Sequence, residues 1–416
     1  MKRILLTPLG SWGDINPFLR MGQILKNHGY EVSVIANPHF VSAIHALDLR
    51  WIPAGTEEEF QESIDDPTIW HRRKGTEAVF DFMGKVSGRI ADLVASYLSE
   101  ASSPPLVLAP ATAFGVRMAR EKQSFPLATV HLQPPALLSA YALPHFGKGT
   151  GWIRHLPLPM RKSFIHLGEN HVSRILRRHL VPACQERNIR LPQRLFRDWW
   201  DASDVVLNLF PGWFASPQPD WPPRIACLGF PLTSSPQNQD LPDSLKTFLA
   251  AGEKPILFTP GSAMRHGKKF FHAALRACEK ANLRALFVTR YPDQLPSSLP
   301  RSIRHYKVLP FERMLSECAA IVHHGGIGTL AHAMAAGIPQ LLMPMAHDQP
   351  DNSHRIKALG LGDFLYPNRF TPARIAMKLE RLLRDREIKR RCLNAKEMIQ
   401  KESFEEALLS ALAPVL

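Results

Sequence analysis

The chain has 416 residues, 45% hydrophobic and 21% charged, which excludes a disordered chain and at this length favours two cores of about 200 residues each. No apolar run reaches the roughly 18 residues of a membrane-spanning helix. The formal net charge of +14 admits nucleic acid, an anionic membrane face or an anionic small molecule as partner. With no nucleic-acid module and no basic tract interleaved with aromatics, a membrane surface or a plain solvated face suits it better than nucleic acid.

In chain order, Arg3–Pro8 reads as a buried strand rather than the core of a secretory signal. A Gly-rich turn follows, then a helix with Asn16 as N-cap and Pro17 in its first position. Phe18, Met21, Ile24 and Leu25 give it one apolar face, and Gly29 closes it. Strands are expected at Glu31–Ala36, Leu106–Leu108 and Leu127–Val130, the order of a parallel doubly wound sheet.

The period is lost over Gly147–Arg197, read as an insertion with a basic helix at Val172–Leu180, either a lid or acceptor-side wall or an ordinary surface loop and helix. Further basic clusters lie at Arg154–Lys162 and Arg381–Lys396. Pro231–Pro242, rich in Pro, Ser, Asn and Gln, reads as a linker.

A second α/β series follows: strands Pro255–Thr259, Leu283–Thr289, Ile303–Val308, Ala320–His323 and Gln340–Pro344, and helices Lys268–Ala281, Phe311–Cys318 and Leu330–Ala336. Thr371–Arg384 and Glu387–Leu412 are expected to be the last helices. Five cysteines without paired spacing argue against a disulfide framework and favour a reducing, cytoplasmic compartment.

The chemistry concentrates in HHGGIGTLAHAMAAGIPQLLMPMAHDQPDN, His323–Asn352. Gly325, Gly326 and Gly328 let backbone approach a ligand closely, and Thr329 with the amides of the next helix forms an anion site. No Lys follows the last glycine, so this is not a Walker loop. The histidines show no zinc-ligand spacing, so no metal is expected.

This segment resembles the donor signature of the inverting nucleotide-sugar glycosyltransferases. The resemblance implies the GT-B fold, two Rossmann-like doubly wound domains facing across a cleft, with a nucleotide-diphosphate sugar as co-substrate and no separate cofactor. It implies that His324 or His323 and Thr329 contact the diphosphate, that Asp348 and Gln349 bond the sugar hydroxyls, and that Asn352 and Ser262 belong to the same donor site. Plant members carry a Trp and a Gln near Val308–Phe311, both missing here, and His332 stands where a Glu often meets the ribose. The nucleotide therefore stays open between uridine and thymidine.

Gly10–Ser11–Trp12–Gly13–Asp14 ends the first strand, where α/β sheets place ligands. It resembles the opening of bacterial antibiotic and lipid glycosyltransferases, which implies Asp14 as general base, with Ser11 and Trp12 beside the acceptor. A helix start beside Asp14 would lower its basicity and burial would raise it; a plain turn or cap role stays open.

Ala136–Pro144, Phe210–Pro222 and Gly229–Leu232 are similar to stretches of the bacterial rhamnosyltransferases of mono-rhamnolipid synthesis. That likeness implies dTDP-rhamnose as donor, a hydroxyalkanoyloxy-alkanoate as amphiphilic acceptor and peripheral association with the inner membrane face. Trp213 and Phe214 are candidates for an apolar acceptor wall. The alternatives are transfer to a polyketide or sterol, a nucleotide-sugar epimerase, and a non-catalytic binding module. The expected domains are 1–232 for the acceptor and 243–395 for the donor, with a terminal helix over 396–416 returning to the first.

Overall fold

A computed structural model describes residues 2–70, 75–145, 151–232 and 241–416. The chain divides into two units, Met1–Pro231 joined by Ser403–Leu416, and Leu232–Glu402. Most of the expected linker, residues 233–240, lies outside the described residues, as does the start of the insertion, 147–150.

The first unit begins with β1 (Arg3–Leu6), α1 (Trp12–Asn27), β2 (Glu31–Ala36), α2 (Val41–Ala46), β3 (Arg50–Pro53), α3 (Glu57–Asp65) and α4 (Gly75–Ser99). It continues through β4 (Leu106–Pro110), α5 (Phe114–Lys122), β5 (Leu127–His131), α6 (Leu158–Glu186), β6 (Val205–Asn208) and β7 (Ile225–Cys227). The strands form one parallel sheet in the order β3-β2-β1-β4-β5-β6-β7. Leu5, Val107 and Leu127 pack on Ile90 and Val94 of α4 and Val116 of α5.

The second unit runs α7 (Asp243–Ala250), β8 (Ile256–Thr259), α8 (Lys268–Ala281), β9 (Ala285–Val288), β10 (Ile303–Tyr306), α9 (Phe311–Met314) and β11 (Ala320–His323). After these come α10 (Ile327–Ala336), β12 (Gln340–Leu342), α11 (Gln349–Ala358), β13 (Gly362–Phe364), α12 (Pro372–Arg384) and α13 (Arg386–Lys401). Its parallel sheet has the order β10-β9-β8-β11-β12-β13. Alternate strand residues serve opposite faces. Phe258, Phe287 and Val322 meet α8 and α12, while Leu257, Leu286 and Ile321 meet α7, α9 and α10. Such strands show continuous apolar runs because both faces are covered.

Three expectations are corrected. Helix α1 starts at Trp12, with Ser11 as N-cap in place of Asn16, so Pro17 lies inside the helix; the reciprocal Ser11–Asp14 pairing nucleates the helix earlier. The basic helix expected at Val172–Leu180 is the middle of the 29-residue α6. The helix expected over Glu387–Leu412 is broken after Lys401, where Ser403 accepts from the Glu406 amide and starts α14 (Phe404–Leu412). The last crossing between units thus falls at Glu402–Ser403, not at 396.

Glycines decide one helix crossing. A Cβ on Gly115 of α5 would stand 2.2 Å from the Ser87 carbonyl oxygen and 2.7 Å from Ile90 Cβ, both on α4. Gly115→Ala is expected to lower the unfolding free energy by about 1–3 kcal/mol. Gly168→Ala, in a stretch of α6 where the new Cβ meets nothing within 4 Å, is expected to leave it equal or raise it by up to ~1 kcal/mol. Urea unfolding of the two variants checks this, and equal losses would contradict it.

Candidate functional site

In an open parallel sheet, ligands bind outside the strand carboxyl ends where the strand order reverses. Here those places are between β1 and β4 in the first unit and between β8 and β11 in the second.

In the second unit, the loop after β8 and the loop after β11 meet around His324. A Cβ on Gly261, at φ +100°, would lie 2.6 Å from His324 Cε1, and one on Gly326 would lie 2.4 Å from its Nε2. The imidazole therefore fits only between two bare backbones. Its Nδ1 is buried with no hydrogen-bond partner. Burial pulls the His324 pKa down to about 4.

His323 has a different place from the one expected. It is fully buried, its Nε2 lies 2.9 Å from Gln340 Oε1, and its Nδ1 accepts the Gly325 N–H at 3.2 Å. Both ring nitrogens are spent within the protein, which corrects the assignment of this residue to a ligand. It sets the loop from below. Burial, with His324 alongside, pushes its pKa down to about 3.

Gly325, at φ +96°, then turns the chain into α10. The amides of Ile327, Gly328 and Thr329 open that helix and have no acceptor one turn back, and its first turn carries no acidic residue. A Cβ on Gly328 would meet nothing within 4 Å, so the helix start is open. Thr329 is half-buried there, and Ser262 is exposed on the loop after β8. Together these groups offer neutral donors and a positive helix end to an anion.

Asn352 on α11 ties the far side of the loop. Its Nδ2 donates to the Gly325 carbonyl at 2.9 Å and to Asp348 Oδ2 at 2.6 Å, while its Oδ1 is buried and unpartnered. Ser353, one residue on, also has a buried, unpartnered hydroxyl. Asp348 caps α11 next to His347, whose φ of +58° is strained for a residue with a side chain. Gln349 was expected to bond sugar hydroxyls. Its Oε1 instead accepts the Met345 and Ala346 amides at 2.9 and 3.4 Å and closes the turn, which leaves only its NH₂ end for any ligand. Two further positions bear on the nucleotide: Val308 is 59% exposed, and His332, its pKa lowered by burial, meets Phe311 edge-on.

In the first unit, Gly10 at φ +129° leaves room for Asp14, since a Cβ there would lie 2.4 Å from Asp14 Oδ2. That oxygen accepts the Ser11 amide at 2.8 Å and the Ser11 hydroxyl at 3.0 Å. Burial raises the Asp14 pKa above its ordinary value and outweighs these two hydrogen bonds, which lower it. Trp12 donates from Nε1 to His39 Nε2 at 3.2 Å, and His39 Nδ1 faces Glu57 Oε1 at 2.8 Å. This relay, unforeseen in the sequence, fixes the Nδ1–H tautomer of His39 and the pose of Trp12. Phe214 is 3% exposed and packs on Phe230, so it is core and not an acceptor wall, whereas the adjoining Trp213 is half-buried.

Among the described residues, no three His, Cys, Asp or Glu side chains converge as a metal-holding group. No helix there is long and apolar enough to cross a membrane.

His323 and His324, the two most strongly depressed histidines, imply a pH dependence. Their ordinary pKa of 6.5 falls to about 3 and about 4 on folding. The unfolded chain therefore binds more protons between those values and 6.5, and the fold loses stability as pH drops below 6.5. Each group contributes a slope of at most about 1.4 kcal/mol per pH unit. The urea midpoint is expected to fall between pH 7 and pH 5, and to fall less in His324→Gln; equal falls would contradict the assignment.

Comparison with known proteins bears on the class of reaction. Residues 287–406 match the family described as Erythromycin biosynthesis protein CIII-like, C-terminal domain. An uncharacterized glycosyltransferase of Mycobacterium tuberculosis is 25% identical over 374 residues, 86% of each chain. The solved glycotransferase of kitacinnamycin superposes with a TM-score of 0.75 at 17% identity, over 99% of this chain and 98% of its own. The spinosyn rhamnosyltransferase complexed with thymidine diphosphate superposes at 0.68 with 18% identity, over 99% of this chain and 100% of its own. With its two doubly wound parallel sheets and its glycine loop at a helix start, the chain is a glycosyltransferase of the GT-B type.

Proposed function

We propose that this glycosyltransferase moves rhamnose from dTDP-rhamnose to a hydroxyl of an amphiphilic acid of the hydroxyalkanoyloxy-alkanoate type, with inversion and without a metal. The observation that carries the donor half is the open, uncapped start of α10 beside the His324 imidazole, which suits a diphosphate. We assign the diphosphate to the amides of Ile327–Thr329, the Thr329 hydroxyl and His324. Asp348 and Asn352, with the Gln349 NH₂, take the sugar hydroxyls, and Ser262 borders the site. A thymidine nucleotide is favoured by the spinosyn rhamnosyltransferase, which is similar in fold and complexed with thymidine diphosphate.

In this reading Asp14 is the base. The acceptor O–H gives its proton to the Asp14 carboxylate while its oxygen bonds to the anomeric carbon. The bond from that carbon to the diphosphate oxygen breaks, and the electron pair leaves with the nucleoside diphosphate. The charge that develops on the leaving group is met by the positive end of α10, which does the electrostatic work a divalent cation would otherwise do. Ser11 steadies Asp14 through Oδ2, and burial supplies the raised basicity.

The lipid-like acceptor rests on the resemblance of Ala136–Pro144 and Phe210–Pro222 and on the positive charge of the chain. A second reading, transfer to an antibiotic aglycone, is favoured by the Erythromycin biosynthesis match in the donor unit.

Two experiments test the proposal. A panel of dTDP-rhamnose, UDP-glucose and UDP-N-acetylglucosamine with a hydroxy-fatty acid acceptor is expected to consume dTDP-rhamnose selectively; its failure to react would remove the rhamnosyl reading. Asp14→Asn is expected to lower kcat by about 10²–10⁴. Because the base works unprotonated, wild-type kcat/KM should fall as pH drops through the raised Asp14 pKa, and that limb should vanish in Asp14→Asn. Near-normal turnover by the variant would leave Asp14 as a cap alone.

A further inference from the structure

Helix α6 is 29 residues long, yet its buried residues, Ser173, Leu176, Leu180, Ala183 and Cys184, all lie in its second half. Leu176, Leu180, Ala183 and Cys184 share a core cluster with Phe80, Ala91, Phe114 and Met118. The turns before them, Leu158–Val172, bury nothing, but they are not polar. Met160 is 53% exposed and Leu167 67%; seven residues apart, they stand on one face of the helix. Trp152, in the short turn Gly151–His155 just before, is 62% exposed.

Cations surround this apolar end. Arg174 and Arg178 continue the same helical stripe and are exposed. Lys162 lies 5.6 Å from the centre of the Tyr141 ring, and Arg161 donates to the Tyr141 carbonyl at 3.4 Å. From 151 to 180 there are six arginines and lysines against one carboxylate, Glu169.

An apolar end this exposed is stable in water only at a cost, and marks a surface that something covers. A second copy of the chain would set this charge against its like, in a molecule whose net charge is already +14. An apolar tip with cations behind it fits an anionic bilayer, where apolar side chains enter the acyl boundary, Trp rests at headgroup level and Lys and Arg meet phosphates. We propose that Trp152–Arg178 is a membrane-docking surface for anionic phospholipid, with Trp152, Met160 and Leu167 as its inserting residues. The surface requires no particular donor or acceptor.

Co-sedimentation of the full chain with vesicles tests it, using phosphatidylcholine alone and phosphatidylcholine with about a third phosphatidylglycerol. Binding is expected to the anionic vesicles and to weaken with added salt. Trp152→Ser/Met160→Ser/Leu167→Ser should abolish it, and Lys162→Gln or Arg174→Gln should each weaken it about fivefold at low salt. None of these side chains is buried, so thermal unfolding should match wild type. Met377→Ser/Met398→Ser, two exposed apolar positions on the second unit, should bind like wild type. The proposal is overturned if wild type stays in solution with anionic vesicles, if the triple variant binds normally, or if the Met377/Met398 variant loses binding equally. Light scattering that shows a wild-type dimer, broken by the triple variant, would likewise overturn it in favour of a second copy.

Discussion

At the carboxyl end of β11 the backbone must turn within three residues from strand to helix and leave the first amides of α10 unbonded. A turn this tight in a buried place has polar groups to satisfy, and His323 satisfies them from beneath, with one nitrogen for the Gly325 N–H and the other for Gln340. Asn352 holds the Gly325 carbonyl from the other side. The neutral state of the imidazole is essential, because only an unprotonated Nδ1 accepts that amide. Burial guarantees it by placing the pKa near 3.

The two units solve the same topological problem with opposite outcomes. In each, a helix begins at the strand end where sheet order reverses, with its positive end at the ligand edge. In the first unit the third helical position is Asp14, whose carboxylate already sits at the Ser11 amide. In the second it is Thr329, and no acidic residue stands in that turn. One helix start therefore carries its own anion, held in a desolvated setting that raises its basicity, while the other has no acidic residue in its first turn. That difference suits a base in one unit and a diphosphate in the other.

Much of this was legible in the chain. The glycine run into α10 announced a loop of bare backbone, because Gly325 holds a φ of +96° and a Cβ on Gly326 would strike the His324 ring. Ser11 and Asp14 also carried a readable signal, a serine followed three residues on by a carboxylate, yet Pro17 in a favourable first-turn position drew the helix start to Asn16. The reciprocal cap stabilises the earlier start enough to carry the proline inside. The single buried glutamine in the apolar run of β12, Gln340, was the one hint of the His323 partner.

The sequence by itself determined the opening β1–α1–β2, the series from β8 to β12 with α8, α9 and α10, and the glycine loop, since these follow from local periodicity and backbone permission, whereas β3, β6, β7 and β13, short strands with no clear period, were not read from it. Only the tertiary structure decided which of two adjacent histidines faces inward. Alternation along β11 sends His323 into the core towards Gln340 and His324 out between Gly261 and Gly326, glycines 65 positions apart in the chain. It also turned Phe214 from a wall into core, folded Gln349 back on its own turn, and left the first half of α6 with no buried residue. Those outcomes depend on which elements pack together across long sequence separations, and no local spacing encodes them.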